Sequence, residues 1–207
     1  EGTDLPGDVG AVEATEGDPA DLREPTQLRE SSSFGQIAIE VMGRMPAHAD
    51  ELRALDAALG DAGLVVTDGD GARSVVAALD ALPDEVAAKE LLREAGAAFA
   101  EANPSTFAAL VGMAAIEASA AAPDTSSFGR EESIAFGERM AASIARRGGA
   151  AVGDKTMLDV LVPALEQLRE GADLRGVSVY AAELVSAGAA LQSSRGRAAW
   201  HGERSVG

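Results

Sequence analysis

Apolar residues recur along most of this chain at the three-and-four spacing of a helix, and only one short run reads as a strand. Ala88, Leu91, Leu92, Ala95, Phe99 and Ala102 form one such stripe, and Phe107, Leu110, Val111, Ala114 and Ala118 form a second. Met157, Leu161, Ala164, Leu165 and Leu168 form a third, and Val177, Tyr180, Ala181, Leu184, Ala187 and Leu191 a fourth. A period of about 3.6 residues lines each set along one face of an α-helix. The strand-like run, Leu64 to Thr67, is too short to build a sheet by itself. Turn chemistry at Asp68-Gly69-Asp70-Gly71, Asn103-Pro104, Gly148-Gly149 and Gly171 separates the periodic stretches. Asp154 reads as the N-cap of the third stripe, and Pro163 is expected to bend that helix by removing one backbone bond. The pattern predicts an all-α domain of roughly seven or eight helices.

Composition agrees with closely packed helices: 23 of the 207 residues are Gly, Ala is abundant, and aromatics make up 3%. No apolar run approaches the roughly 20 residues that cross a membrane, and no secretory signal opens the chain. The absence of cysteine excludes disulfides and thiolate metal sites and is consistent with a reducing cytoplasm. The chain opens on Glu1 rather than Met, as expected of a processed or excised piece. A net charge of −17 repels nucleic acid and anionic membranes, so neither is an expected partner. Any phosphate ligand then needs local help from metal ions, backbone N–H groups or a few placed arginines. One place offers it: from Arg195 to the end, Arg195, Arg197 and Arg204 face a single acid, Glu203.

Residues 1–33 carry nine acids against two bases, interleaved with Gly, Pro and Thr, and have no apolar period. They read as an acidic linker or disordered tail, with the folded domain running over 34–207.

Four segments carry candidate chemistry. Asp56 sits in an apolar helical context, and Asp61 follows five residues later after a glycine that can end the helix. Two carboxylates converging at a helix end suit Mg²⁺, a hard ion that prefers oxygen; a surface acid followed by a capping turn meets the same spacing. Asp68-Gly69-Asp70-Gly71 has part of a calcium loop's pattern but lacks its remaining ligands, which favours a turn. Asn103-Pro104-Ser105-Thr106 breaks two helices, and Ser105 or Thr106 would cap the next one, whose N-terminus also suits a phosphate. The last is a pair, Gly153 to Asp159 and Arg195 to Ser205. Arginines between glycine hinges can clamp a phosphate bidentately, with Lys155 as a point charge, and exposed arginines beside an ordinary helix start fit equally. His48 and His201 show no metal-ligand spacing.

In this order the segments resemble the L subunit or domain of dihydroxyacetone kinases, from about residue 35 to the end. That family shows Asp-x-x-x-Gly-Asp-Gly-Asp, a Gly-Ala-Ser-Gly-like turn, Gly-Asp-Lys-Thr-Met-Leu-Asp, and Gly-Arg-Ala-x-Tyr-x-Gly-Glu-Arg-Ser. Gly153 to Asp159 match the third motif at every position, and Gly196 to Ser205 match the fourth except that Trp200 replaces Tyr. The resemblance implies a barrel of about eight antiparallel helices holding ATP or ADP at one end through Mg²⁺. It also implies transfer of the γ-phosphoryl group to dihydroxyacetone presented by a K-type subunit or domain. Asp56 and Asp61 match the first two metal aspartates. Ser105, with Thr106 beside it, lies at the phosphate-contacting turn; Thr156 and Met157 lie where the family approaches the nucleotide, and Arg197 lies in the arginine loop.

Two departures fall on the site itself. Gly63 stands where the third metal aspartate is expected, leaving Asp68 or Asp70 as replacements, and Asn103 to Thr106 lacks the glycines of the phosphate turn. The chain also stops at Gly207, where the family continues into a His-x-Asp-Pro-Gly segment. Two functions follow: a kinase module of the glycerone type, or a degenerate relative that binds nucleotide or a partner and regulates. A third, within the enzyme class, is service to another acceptor, as in fatty-acid kinases.

Overall fold

The computed structural model describes residues 33–50, 64–102, 104–195, 199–200 and 206. Among them lie seven α-helices and no strand. They are α1 (Phe34–Arg44), α2 (Leu64–Asp80), α3 (Ala88–Glu101), α4 (Thr106–Ser119), α5 (Arg130–Gly148), α6 (Leu158–Arg169) and α7 (Leu174–Gly188), with a 3₁₀ turn over Met45–His48. The all-helical expectation holds, with seven helices described rather than about eight. No helix among the described residues is long and apolar enough to cross a membrane.

Local chemistry fixes most of the ends. Ser33 and Gln36 form a reciprocal capping box at α1, with bonds of 3.3 and 3.0 Å. Asp173 accepts from the Gly176 amide at 2.7 Å to start α7. In α5, Glu131 and Glu132 occupy the first turn and Arg146 and Arg147 the last, the charge order that the helix dipole favours. Gly149 then ends α5 in the left-handed region at φ 60°. Arg130 closes the far end of α6 by donating to the carbonyls of Leu168 and Ala172 at 2.5 and 2.6 Å.

Each helix from α2 to α7 packs antiparallel on the next. Gly71 of α2 meets Phe99 near the end of α3, while Leu79 packs with Leu91 near its start. Phe99 faces Phe107 across α3 and α4 at 6.3 Å, and Gly96 faces Gly112. Leu110 touches Gly148 across α4 and α5, whereas Glu117 bonds Ser143. On α5 and α6, Ile144 clusters with Leu158, and Glu138 pairs with Arg169. One core joins α4, α5 and α6 through Ala114, Ala141, Ile144, Leu158 and Leu165. Another joins α1, α2 and α3 through Val75, Leu79 and Leu91, with Phe34, Ile39 and Met42 against them. Between the two cores the α3 and α4 backbones nearly touch: a Cβ on Gly112 would lie 2.5 Å from the Gly96 carbonyl oxygen. The small residues noted in the composition make that approach possible.

Two sequence expectations need correcting. Leu64 to Thr67 is not a strand, and Asp68 to Gly71 is not a turn; both lie inside α2. The glycines weaken the helix locally, but tertiary packing overrides that preference. Gly71 is buried under the Phe99 ring, with Phe99 Cε2 2.4 Å from where a Cβ would stand, so the glycine serves a close contact rather than a bend. Pro163 lies inside α6, and the helix continues through it.

Candidate functional site

The antiparallel order brings the start of α4, the end of α5, the start of α6 and the chain after α7 to one end of the bundle. Leu110, one turn into α4, shares a cluster with Ala150, Met157 and Leu158, which ties the α4 start to the loop between α5 and α6. Ser105 caps α4, its hydroxyl accepting from the Ala108 amide at 3.0 Å, and exposed Thr106 opens the helix. The capping role expected of this segment therefore falls to Ser105.

The loop over residues 150–157 is shaped by Asp159, which reaches back from the first turn of α6. One carboxylate oxygen accepts from Gly153 N at 2.5 Å and the other from Thr156 N at 2.7 Å. The Thr156 hydroxyl in turn accepts from Leu158 N at 3.2 Å. Gly153 sits at φ 101°, a left-handed conformation that side chains rarely adopt, and Lys155 adopts φ 56° despite its side chain. Lys155 Nζ donates to the Ala189 carbonyl at 3.2 Å, just beyond α7. Here the lysine ties down the loop, a role the point-charge reading did not foresee.

Asp154 is not the N-cap of α6. That position is held by Met157 in helical conformation, with no side-chain cap. The Asp154 carboxylate turns instead toward a segment 40 residues away. Oδ1 accepts from the Ser194 hydroxyl at 2.5 Å, while Oδ2 accepts from Arg195 Nε and from the Ala151 amide, both at 2.9 Å. The Ser194 amide adds a bond to the Asp154 carbonyl at 3.2 Å. The Ser194 hydroxyl, then the Ala151 amide, then Arg195 stabilise the charged form and hold the carboxyl at about 2, below its ordinary 3.8. The Gly153 to Asp159 motif is thus joined in space, through Asp154, to the two residues just before the Gly196 to Ser205 motif, a pairing that local capping rules could not reveal.

The expected metal ligands Asp56 and Asp61, and the arginine-loop residue Arg197, lie outside the described residues. Among the described residues no group of three or more His, Asp or Glu side chains forms a metal-ligand set. Asp70, one suggested replacement, pairs with Arg73 on the same helix. Of the expected nucleotide-contacting residues, Met157 shares a cluster with Leu110, one turn beyond the Ser105 cap and Thr106, and Thr156 precedes it in the chain. Trp200, five residues after Arg195, is 84% exposed.

A second polar network lies farther along α4 and α5. Buried Ser143 donates to Glu117 at 2.8 Å, and Arg146 and Arg147 also donate to that carboxylate at 2.6 to 3.2 Å. Ser143, then the two arginines, lower the Glu117 carboxyl below its usual range. With every acceptor oxygen engaged by its own helices, this network is a staple between α4 and α5.

Comparison with known proteins gives the arrangement a lineage. A family model described as the DAK2 domain matches residues 58–207. The PEP-dependent dihydroxyacetone kinase ADP-binding subunit DhaL of Escherichia coli is 31% identical over 167 residues, covering 77% of this chain and 79% of the relative. The L-erythrulose 1-kinase of Mycolicibacterium smegmatis is 36% identical over 73% of this chain and 29% of its own length. The D-erythrulose kinase of the same organism is 36% identical over 86% of the chain and 33% of its length. The chain therefore spans about a third of those two kinases. With the family model covering most of the helical bundle, this chain belongs to the DAK2-domain family as a DhaL-like domain of the dihydroxyacetone kinase lineage.

Proposed function

We propose that this chain is the nucleotide-binding module of a dihydroxyacetone-type kinase, acting in the cytoplasm. It passes the ATP γ-phosphoryl group to a small keto or polyol substrate held by a K-type domain or subunit. The reading is carried by the convergence of three phosphate-suited elements at one bundle end: the capped start of α4, the Gly153 to Asp159 loop, and the arm leading to Arg197. The relatives support it, one being an ADP-binding subunit by name and two being erythrulose kinases. Because the chain spans about a third of those kinases, acceptor binding is assigned to other parts of the system.

Phosphoryl transfer depends on positioning and on neutralising charge. A chain of net charge −17 needs concentrated local donors to hold a polyphosphate. The start of α4 at Ser105 and Thr106 offers backbone amides and the positive end of a helix dipole. Thr156 and Met157 line the nucleotide, and Arg197 supplies a guanidinium fork to its phosphates. Asp56 and Asp61 would hold Mg²⁺, which neutralises phosphate charge when bound.

The test is calorimetric titration with ADP, with and without Mg²⁺. Saturable binding that strengthens with Mg²⁺ is expected, and Arg197→Ala should weaken it by about 1.5–3 kcal/mol. Absence of ADP binding under both conditions would refute the module's assignment. A second reading, a degenerate module that binds nucleotide or a partner without turnover, is favoured by Gly63 in place of the third aspartate. Added to a K-type partner and dihydroxyacetone, such a module would bind ADP yet release none from ATP.

A further inference from the structure

The chain beyond α7 is anchored in an unusual way. α7 contributes no buried residue, and its helix contacts among the described elements are with α6 alone. Leu174, Val179 and Val185 on it are more than half exposed. Apolar packing therefore does little to fix where the C-terminal segment goes. Polar contacts do it instead: Lys155 Nζ donates to the Ala189 carbonyl, and the contacts farther on meet at the Asp154 carboxylate. Asp154 binds the Ala151 amide on its own loop, and binds the Ser194 hydroxyl and Arg195 Nε on the arm. The arm's first turn is itself braced: Ser193 is 5% exposed, and its hydroxyl donates to the Arg195 carbonyl at 3.2 Å. Arg195 also lies against Gly149, its Nη1 3.8 Å from where a Cβ would stand.

We propose that Asp154 is a positioning residue for nucleotide binding, clasping Ser194 and Arg195 so that the chain after α7 is held against the loop between α5 and α6. This rests on the nucleotide reading above for its purpose, but the clasp can be measured without nucleotide. With its charge balanced by Asp154, Arg195 acts as the anchor of the arm. The carboxylate fixes loop and arm together, so the Thr156–Met157 segment and the chain at Ser194 and Arg195 are presented as one preorganised surface. Preorganisation lowers the ordering cost of binding.

Trp200 is the chain's single tryptophan and follows Arg195 by five residues, so its fluorescence reports on the clasp. In the full-length protein without nucleotide, Asp154→Ala, Ser194→Ala and Arg195→Ala should each lower Trp200 anisotropy. Asp154→Ala and Arg195→Ala should each weaken ADP binding about tenfold, the effect of losing one charge-assisted contact. Affinity for adenosine, which has no phosphate, should stay within about twofold of wild type, because the arm serves the phosphates. The Asp154→Ala/Arg195→Ala double variant should be no worse than Asp154→Ala alone, since that change already removes the Arg195 contact. Ser194→Ala and Arg195→Ala leave the 151–159 loop's own bonds intact, so they judge the clasp even where Asp154→Ala fails to fold. Unchanged anisotropy in both would overturn the proposal. So would an equal loss of ADP and adenosine affinity, or additive losses in the double variant. Wild-type protein that binds no ADP would instead refute the nucleotide reading, with the anisotropy series still deciding the clasp.

Discussion

Replacing Gly112 by alanine adds one methyl group where the two halves of the bundle meet, and the structure predicts that it is destabilising. The new Cβ would stand 2.5 Å from the Gly96 carbonyl oxygen, 2.6 Å from Ala100 Cβ and 2.9 Å from the Ala100 amide nitrogen. Two of these are backbone atoms of α3 and cannot swing aside as a long side chain would, so α3 and α4 must separate. Alanine in a helix gains about 0.5–1 kcal/mol over glycine. Overpacking a tight contact costs about 1–3 kcal/mol. The balance runs from about 0 to a net loss of about 2.5 kcal/mol, and three contacts under 3.0 Å put this site in the upper half, roughly 2–10 °C in thermal midpoint for a domain of this size. Gly43, within α1, is the control: nothing lies within 4 Å of its Cβ, and Gly43→Ala should stabilise by about 0.5–1 kcal/mol. Urea titration followed by circular dichroism measures both. Gly112→Ala as stable as wild type, with Gly43→Ala showing its gain, would refute the claim that this interface is closed by backbone contact.

Other perturbations probe separate links. Arg130→Ala removes the donor to the Leu168 and Ala172 carbonyls and should cost about 1 kcal/mol in the same assay; no loss would mean that water replaces the arginine. Asp154 is depressed to about 2 from 3.8, so its contribution to stability is fully present above about pH 4 and is lost as pH falls toward 2. The gap in urea midpoint between wild type and Asp154→Asn should therefore be constant from pH 7 to about 4.5 and narrow below it; a gap that closes near neutrality would contradict this assignment. Gly63→Asp should strengthen Mg²⁺-dependent ADP binding if the site lacks one carboxylate, as read by calorimetry at several Mg²⁺ concentrations. An unchanged Mg²⁺ dependence would mean that another group already supplies the ligand.

The stripes of α3, α4, α6 and α7 were legible because leucines, alanines and aromatics recur there at helical spacing, and each helix was found where its stripe lay. α5 gave no such stripe. Its inward face is Ile134, Ala141, Ser143 and Ile144, with Gly137 under Leu165, set in a strongly charged helix. Small and polar residues bury there because the neighbouring helix fills the space and Glu117 satisfies the serine. The start of α2 was misread for the same reason: Gly69 and Gly71 are turn residues by local chemistry, and only Phe99, arriving from another helix, makes Gly71 a packing residue.

The site follows the same division. Ser105 was readable as a cap because its partner is three residues away. Asp159, quoted in its motif but given no role, had a readable partner in Thr156 at the same spacing. Asp154 was misassigned because a capping rule searches only nearby amides, while its partners Ser194 and Arg195 lie 40 and 41 residues on. Local spacing therefore finds the residues that end helices, and the family motif marks the loop that Asp154 and Asp159 shape. Which motif residue faces the ligand and which holds its neighbour in place is a property of the tertiary contact. Arg195 and Arg197 are near-equivalent in sequence, two arginines around one glycine. The Asp154 carboxylate takes the first as its partner and so makes it an anchor, a role that no spacing rule assigns.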